Sequence, residues 1–552
     1  MDIASIISGM DNIEKPIICS DLAELYLIKD ADCKQYEHLE AQLCASGFVY
    51  YDKHQEGDNV FATYSKDEHV LYLSYIPSEK CIRLTSKENA ILPEKESAYA
   101  GTKVTPLITQ VRPAYFSVDC GMSYVIRVSD GRFVLIDGGE GEYEEADHLW
   151  DILKSQQEGE GKPVIAAWFI THPHSDHFCG FVQFMNKYKE EVILERVLYN
   201  WGAEGISPTP RGYNDPIEFH RILEEMKNSV KVITPRTGQR FVFGDGIFDI
   251  LFVCEDLYPE KISNINDTSL AIRMEVEGRR VLWIGDMCDQ GAECMCARYT
   301  EESLQCEFYQ VGHHGYYGGS DELHRMIDPK IVLWSCPNFW YPVVRLWNTN
   351  DYLIKSPNVY TTIISGQSEM VIDMTQPVEK FKPYALASDD GVVYEECFDG
   401  GRIMDLHWSC ITGGSTGYRP AKAHLTQGEC TLETMVDDAY TVCEFVQPGQ
   451  MELAKDFTLT LAGRLEKDTE KFGLFWNYTS PTIFSEEHAL WLQPAGDGSF
   501  VFTLKADATE KKAQLFLYDT CVCEMPYETS GGLYFILKNG KVTLEHIKVS
   551  KL

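Results

Sequence analysis

No apolar run in these 552 residues approaches the ~20 residues needed to cross a bilayer, so no membrane-spanning helix and no membrane partner are expected. Basic residues are few. Forty-nine Lys and Arg stand against 84 Asp and Glu, for a net charge of −35. No Lys/Arg cluster breaks that field, which excludes long nucleic acid as an expected partner. The 18 cysteines include no Cys-x-x-Cys pair, the tightest spacings being Cys294-Met295-Cys296 and Cys521-Val522-Cys523. That pattern argues against zinc knuckles and for free thiols in a reducing compartment. Met1-Asp2-Ile3-Ala4 has no basic stretch ahead of an apolar one, so no secretory leader is expected and the setting is read as cytoplasmic. There is no internal repeat and no low-complexity tract. What remains is an ordinary globular composition, 44% hydrophobic, with length for about three domains.

The patterns change twice along the chain. Residues 1–105 read as a small α+β domain. Asp32 caps a helix carrying Tyr36, Leu39 and Leu43 at helical spacing, and short strands around 23–28, 60–64, 69–75 and 81–85 surround it. Residues 106–385 alternate buried strands with helices, expected at 144–157, 178–189 and 216–227. Residues 386–552 show short alternating strands, expected at 457–461, 472–476, 488–492, 500–504, 513–518, 533–537 and 542–547, with turn signals such as Asp497-Gly498 and Asn539-Gly540. This is the pattern of an all-β sandwich. It resembles the concanavalin-like jelly rolls that accompany hydrolases. Trp476, Tyr478 and Trp491 suit its core, with carbohydrate or protein contact through this sandwich as the alternative.

Chemistry concentrates in the middle segment. The apolar run Val164–Ile170 ends at Thr171-His172-Pro173-His174-Ser175-Asp176-His177, three imidazoles and a carboxylate within six residues. Imidazole nitrogen and carboxylate oxygen suit zinc, manganese and iron, and this many donors can serve two neighbouring ions. His172 and His174 alternate and point one way in an extended turn; Asp176 and His177 follow a bend and can face a second ion. Upstream, Asp137-Gly138-Gly139 ends another strand, where a carboxylate can hold the histidine loop from behind. Downstream, Asn266-Asp267-Thr268-Ser269-Leu270 leads into strand 271–276, and Val281-Leu282-Trp283-Ile284 ends at Gly285-Asp286, a carboxylate placed to bridge two cations. Phe308-Tyr309-Gln310-Val311 then ends at Gly312-His313-His314-Gly315. One of His313 and His314 can complete the second metal site; the other can act as general acid or stabilise an anionic oxygen. Spacing does not say which. Asn338-Phe339-Trp340-Tyr341, with Trp347 and Tyr352, reads as core, or alternatively as a wall of the substrate pocket.

These motifs resemble the metallo-β-lactamase-fold hydrolase superfamily: His-x-His-x-Asp-His at 172–177, the later Asp286 and the His313/His314 pair. Val118-Asp119-Cys120-Gly121-Met122-Ser123 and Asn266 to Asp286 followed by His-His-Gly are similar to the branch that includes the metallo-hydrolase domain of the bacterial DNA-uptake channel protein and the phosphorylcholine esterases. The resemblance covers about half the chain. It implies a four-layer αβ/βα sandwich over 106–385, with His172 and His174 on one ion, Asp176, His177 and one of His313/His314 on the other, and Asp286 bridging. One departure stands out. Many members carry a further metal histidine between the signature and the bridging aspartate, whereas the only histidine here is His220, on a helix. Asn266 or Asp267 takes that place if anything does.

The implied cofactor is a pair of divalent ions, zinc first, with manganese or iron as alternatives. Two cations ~3.5–4 Å apart bring a bridging water to hydroxide near neutral pH. The expected activity is metal-dependent hydrolysis of a phosphodiester or other small anionic substrate, with Asp176, His313 and His314 as the catalytic candidates. Thioester or lactam hydrolysis shares the same metal site. A non-catalytic accessory protein with a degenerate core is the contrary reading, and the intact ligand set argues against it. A diiron redox enzyme would call for carboxylate-rich ligands and a flavin module, neither of which is present.

Overall fold

The computed structural model describes residues 3–93, 100–112, 121–141, 144–202, 216–337, 340–365, 369–381, 391–396, 409–414, 422–426, 429–434, 439–446, 456–478, 489–494, 496–527 and 532–552. Val118, Asp119 and Cys120 of the motif at 118–123, and Asn338 and Phe339 of the aromatic cluster, lie outside these. The chain folds into two compact units: 1–114, 119–329 and 373–375 form one, and 115–118, 330–372 and 376–552 the other. No helix among the described residues is long and apolar enough to cross a membrane. Cys19, Cys81, Cys254, Cys288, Cys306, Cys336 and Cys430 are buried free thiols.

The first unit begins with a six-stranded antiparallel sheet. Its elements are α1 (Ile3–Ile7), β1 (Ile17–Ile18), β2 (Glu24–Ile28), α2 (Cys33–Ala45), β3 (Val49–Glu56), β4 (Asn59–Lys66), β5 (His69–Ile76) and β6 (Cys81–Glu88), in spatial order β1-β2-β6-β5-β4-β3. Helix α2 starts as its sequence dictates. The Asp32 side chain accepts from Gln35 N, and the Gln35 side chain accepts from Asp32 N, a reciprocal capping box. Tyr36, Leu39 and Leu43 lie on its buried face, against Tyr26, Ile28, Leu71, Leu73 and Leu84 of the sheet. Strand β3 was not expected. It is a polar edge strand, Val-Tyr-Tyr-Asp-Lys-His-Gln-Glu, with no apolar alternation to betray it.

Two further sheets carry the chemistry. The first has β7 (Leu107–Gln110), β8 (Tyr124–Arg127), β9 (Phe133–Ile136), β10 (Val164–Ile170), β11 (Ile193–Leu194), β12 (Arg196–Tyr199) and β13 (Lys231–Ile233), ordered β13-β12-β10-β9-β8-β7 with β11 beside β10. Strands β9, β10, β12 and β13 run parallel, and β7, β8 and β9 antiparallel. Parallel strands need crossovers, here α3 (Glu145–Gln156), α4 (Ser175–Tyr188) and α5 (Pro216–Met226). Residues divide between the two faces, with the β10 register shifting between Ile165 and Ala167. Leu135, Ile165 and Trp168 meet Leu149, Phe181, Phe184 and Phe219 of these helices. Phe169 turns the other way, onto Phe241 and Phe248 of the next sheet, as Tyr124 turns onto Trp283. That second sheet contributes β14 (Arg240–Phe243), β15 (Gly246–Phe252), β16 (Ala271–Val276), β17 (Arg279–Trp283) and β18 (Phe308–Gln310), in sequence order, antiparallel until β18 joins β17 in parallel. Helix α6 (Asp289–Arg298) packs on β15 and on α8 (Asp321–Ile327), and α7 (Glu301–Leu304) lies beside α8.

The N-terminal sheet is tied to this pair by arginines. Arg273 donates to Glu56 at 2.7 and 2.6 Å and to Asp249 at 2.9 Å. Arg236 binds Asp21 at 2.7 Å and also Glu255. Arg83 reaches the carbonyls of Glu255 and Asp256, and Arg298 bonds Glu79 and Asp256. All four guanidinium groups are buried, so loss of one partner would strand a charge in a low-dielectric interior.

In the second unit, antiparallel strands 422–426, 429–433, 541–551, 457–465, 499–507, 512–517 and 520–526 form one sheet, with 392–396 also on 541–551. Strands 409–414, 439–446, 532–538, 471–478 and 490–492 form another. One core fills the space between their inner faces: Phe457, Leu459, Leu461, Phe502 and Leu504 from the first and Phe472, Leu474, Leu533 and Phe535 from the second. The exposed strand 520–526 was not expected, for the same reason as β3. Of the aromatic cluster, Tyr341 is buried and stands edge-on to Trp334, whereas Trp340, Trp347 and Tyr352 are half-buried.

Candidate metal centre

Strand β10 is buried along its length, and its end sets the site. Thr171 N and Oγ1 both donate to Asp137 at the end of β9, at 2.7 Å each. The Asp137 carboxylate also lies 2.6 Å from His177 Nδ1. Asp137 is therefore the post behind the histidine loop, and its bond to Nδ1 leaves His177 Nε2 to face forward. Helix α4 begins at Ser175, three residues before the position read from the sequence, so Asp176 and His177 sit in its first turn. Glycines lock the loop in place. Gly138 N donates to His177 O at 2.7 Å and Gly180 N to Gly139 O at 2.9 Å. A Cβ on Gly180 would lie 1.8 Å from Gly138 O, so neither chain could come this close with a side chain.

Strand β17 ends at Gly285-Asp286. Gly285 has a φ of 55°, and Asp286 N donates to Ser269 Oγ at 3.0 Å, which turns the carboxylate inward. Asp286 Oδ1 is 3.2 Å from His177 Nε2 and 3.5 Å from His314 Nε2, and Oδ2 is 3.6 Å from His172 Nε2. Asp176 Oδ2 is 3.1 Å from His314 Nε2 and 3.8 Å from His177 Nε2. His172 Nε2 and His174 Nδ1 are 3.0 Å apart. The donors thus fall into two groups, Asp176/His177/Asp286/His314 and His172/His174/Asp286, each with ligand atoms within 4.8 Å of one another. Asp286 belongs to both and divides its oxygens between them.

The buried imidazoles and carboxylates shift one another strongly. Burial and the neighbouring His177 hold the His172 imidazole well below its usual range. Burial works against charge on His177 and His314, yet the carboxylates beside them prevail. His177 is held well above the histidine range, chiefly by Asp286, and His314 is pushed up to about 10 by Asp286 and Asp176. Asp286 is in turn held well below the carboxylate range, against burial, by His177 and His314. His177 Nε2 and Asp286 Oδ1 are buried and approach each other without hydrogen-bond geometry. Buried polar atoms left in that condition are costly. Their nitrogen and oxygen character, with four imidazoles and two carboxylates in all, fits divalent zinc, manganese or iron.

The remaining candidates fall nearby but outside both groups. His313 Nε2 lies 3.2 Å from Asn266 Nδ2, and its Nδ1 lies 3.7 Å from Cys288 Sγ. Asn266 Oδ1 is buried without a hydrogen bond. Asp267 Oδ1 accepts from Cys288 N and Gly291 N at 2.9 Å each, at the start of α6, and burial pushes its pKa up to about 6. His220 sits among the rings of Tyr199, Trp201 and Phe219. Sequence reasoning gave no role to Thr171, Ser269, Gly138 or Gly180. Thr171, directly after an apolar strand and before the first histidine, was the one open to notice.

Residues 119–287 match the family model of the metallo-beta-lactamase superfamily. The chain thus carries a metallo-beta-lactamase superfamily domain, within which the two donor groups fall except for His314. No curated protein matches the sequence. Among solved structures, the chain is similar to the short form of human tRNase Z, at 12% identity over 42% of this chain and 92% of that one, with a TM-score of 0.25. It is similar to CmlA, a diiron β-hydroxylase from Streptomyces venezuelae, at 13% identity over 44% and 45% of the two chains, with a TM-score of 0.26. The match therefore spans under half the length of the hydroxylase. It is also similar to LamAcat from Zobellia galactanivorans, at 11% identity over 23% and 80%, with a TM-score of 0.17.

Proposed function

We propose that this protein is a metal-dependent hydrolase acting on a phosphodiester or another small anionic substrate. The observation that carries the reading is the sharing of Asp286 between two donor groups built from separate strand ends. His172, His174 and Asp286 would hold one divalent ion, and Asp176, His177, His314 and Asp286 the other, with zinc first and manganese or iron as alternatives. When bound, such a pair supplies a nucleophile at neutral pH and neutralises charge on the substrate. The chain's own residues do the rest. Asp137 and Thr171 fix the orientation of His177. Asp176 and Asp286, whose carboxylate oxygens face the site, orient the attacking water. His313, outside both groups, is the residue left to donate to a substrate oxygen, steadied by Asn266 and Cys288.

The same proposal includes the four-layer αβ/βα arrangement, module boundaries near residues 105 and 385, the likeness to the DNA-uptake and phosphorylcholine esterase branch, and a cytoplasmic setting. Carbohydrate or protein contact through the C-terminal sandwich also belongs to it. The test is elemental analysis of the purified full chain together with hydrolysis of bis(4-nitrophenyl) phosphate. One to two transition-metal ions per chain are expected, and chelation or His174→Ala should abolish turnover. Metal-free protein whose melting temperature ignores chelator would overturn the reading in favour of a non-catalytic accessory protein.

A further inference from the structure

Strands β4, β5 and β6 turn one face, with Ala62, Leu73 and Leu84, toward α2. On the other face Thr63 pairs with Tyr72 and Tyr72 with Thr85, a row of three hydroxyls across three strands. Tyr72 and Thr85 are buried, where a sheet face ordinarily carries aliphatic side chains. The turn 236–239, between β13 and β14, covers this row. Gly238 has a φ of 85°, and a Cβ there would lie 2.2 Å from the Phe61 ring, so the turn rests directly on the sheet.

The turn arranges its own donors. Arg236 N donates to Gln239 Oε1 at 2.7 Å, which leaves Nε2 as the free end of that amide. Nε2 comes up to the Tyr72 hydroxyl but falls short of hydrogen-bond geometry. The terminal nitrogens of Arg236 bind Asp21 and Glu255, and its Nε has no acceptor among the described residues. These side chains line one cavity of about 40 Å³, together with Leu25, Phe61 and Val253. The carboxylates in its wall are already taken. Glu255 accepts from Arg236 and, at 2.6 Å, from Asn200. Asp256 accepts from Thr237 and from Val253 N, and pairs with Arg298 at 2.6 Å. Arg83 and Arg236 balance Glu255 and Asp256 in charge. What is left over is N–H and O–H, and buried donors without acceptors are costly. Water brings two donors of its own to a site short of acceptors, whereas a halide only accepts. A water takes up roughly 10–15 Å³ of such space, so the cavity has room for about three waters, or one halide with a water, and is too small for a phosphate. The apolar part of the wall suits an ion that sheds its hydration readily, as chloride and bromide do.

We propose that this cavity binds a small monovalent anion, a halide, held by Arg236 Nε, Gln239 Nε2 and the Tyr72 hydroxyl between the N-terminal sheet and the 236–239 turn. The test is a bromide soak of crystals of the full chain, read by anomalous scattering, beside melting of the full chain at constant ionic strength as sodium gluconate, too large for the cavity, is exchanged for sodium chloride. A bromine peak in the cavity is expected, and the melting temperature should rise by about 2 °C and then saturate. Tyr72→Phe keeps the ring and Gln239→Leu keeps the bulk, while each removes one donor. Each should lower the apparent chloride affinity about ten-fold, with the circular dichroism spectrum unchanged. If the leucine variant fails to fold, Tyr72→Phe and the bromine peak still decide. A cavity without bromine, which then holds water only, overturns the proposal. So does a bromine peak with no saturating effect on melting, which marks binding at crystal concentration only, and so does a chloride affinity that the folded variants leave intact.

Discussion

Replacing Gly180 with alanine inverts an ordinary expectation. In an exposed helix interior the change adds ~1 kcal/mol of stability. Gly180 is inside α4, but its Cβ would meet Gly138 O at 1.8 Å and Gly138 C at 2.4 Å. Both are backbone atoms, so no rotamer relieves the contact. Reaching ordinary van der Waals distance requires a retreat of about 1.6 Å. That movement breaks the Gly138 N to His177 O and Gly180 N to Gly139 O hydrogen bonds, at about 1 kcal/mol each. Overpacking costs a further ~1–3 kcal/mol. After subtracting the helix-propensity gain, a net loss of about 2–4 kcal/mol is expected, read by urea denaturation. The same retreat draws Asp137 from His177, so metal affinity should fall about 10- to 100-fold in competition with a chromophoric chelator. A Gly180→Ala protein as stable as wild type, with unchanged metal affinity, would refute the claim that this glycine pair fixes the histidine loop.

Four other outcomes test the surrounding structure. Asp137→Asn keeps the shape behind His177 but weakens its bonds, so metal affinity should drop about 10- to 100-fold with the fold retained by circular dichroism. His314→Ala should lose metal from the group it shares with Asp176, while His313→Ala should keep its metal and lose turnover; elemental analysis beside kinetics separates the two. Asp267→Ala should cost about 1–2 kcal/mol in denaturant melts, because it removes the acceptor for Cys288 N and Gly291 N, and should leave metal content unchanged. The last concerns acid. Burial opposes charge on Asp249 and Asp256, yet Arg240 and Arg273 hold the first, and Arg298 and Arg83 the second, below the usual carboxylate range. A depressed folded pKa contributes stability above the unfolded value of about 3.9, and that stability is lost as pH falls through the folded pKa. Urea melts should therefore be nearly flat from pH 7 to 5 in this contribution and decline below about pH 4. Asp256→Asn should weaken the decline, and an identical slope in that variant would sink the assignment.

The donors were legible because each follows a local signal: Val164–Ile170, Val281–Ile284 and the mostly apolar Phe308–Val311 read as buried strands, and each is followed within two residues by a histidine or an aspartate. What stayed hidden is pairwise. Gly138 and Gly180 are separated in the chain, and each alone reads as a turn residue or a weak helix position; only their mutual approach gives them meaning. The burial of Arg83, Arg236, Arg273 and Arg298 leaves no trace in the sequence, because a guanidinium is buried only when a partner from another segment neutralises it, and no periodicity announces that partner. Strands β3 and 520–526 escaped because an edge strand exposes most of its residues and loses the alternation that marks a half-buried one. The choice between His313 and His314 was hidden for a further reason. Both adopt left-handed φ, so the ordinary rule for which of two adjacent side chains points inward fails, and the direction is set by the glycine closure six residues apart at 312 and 318. Local pattern therefore names the donor types, while long-range backbone contact decides which of two neighbouring imidazoles joins the carboxylates.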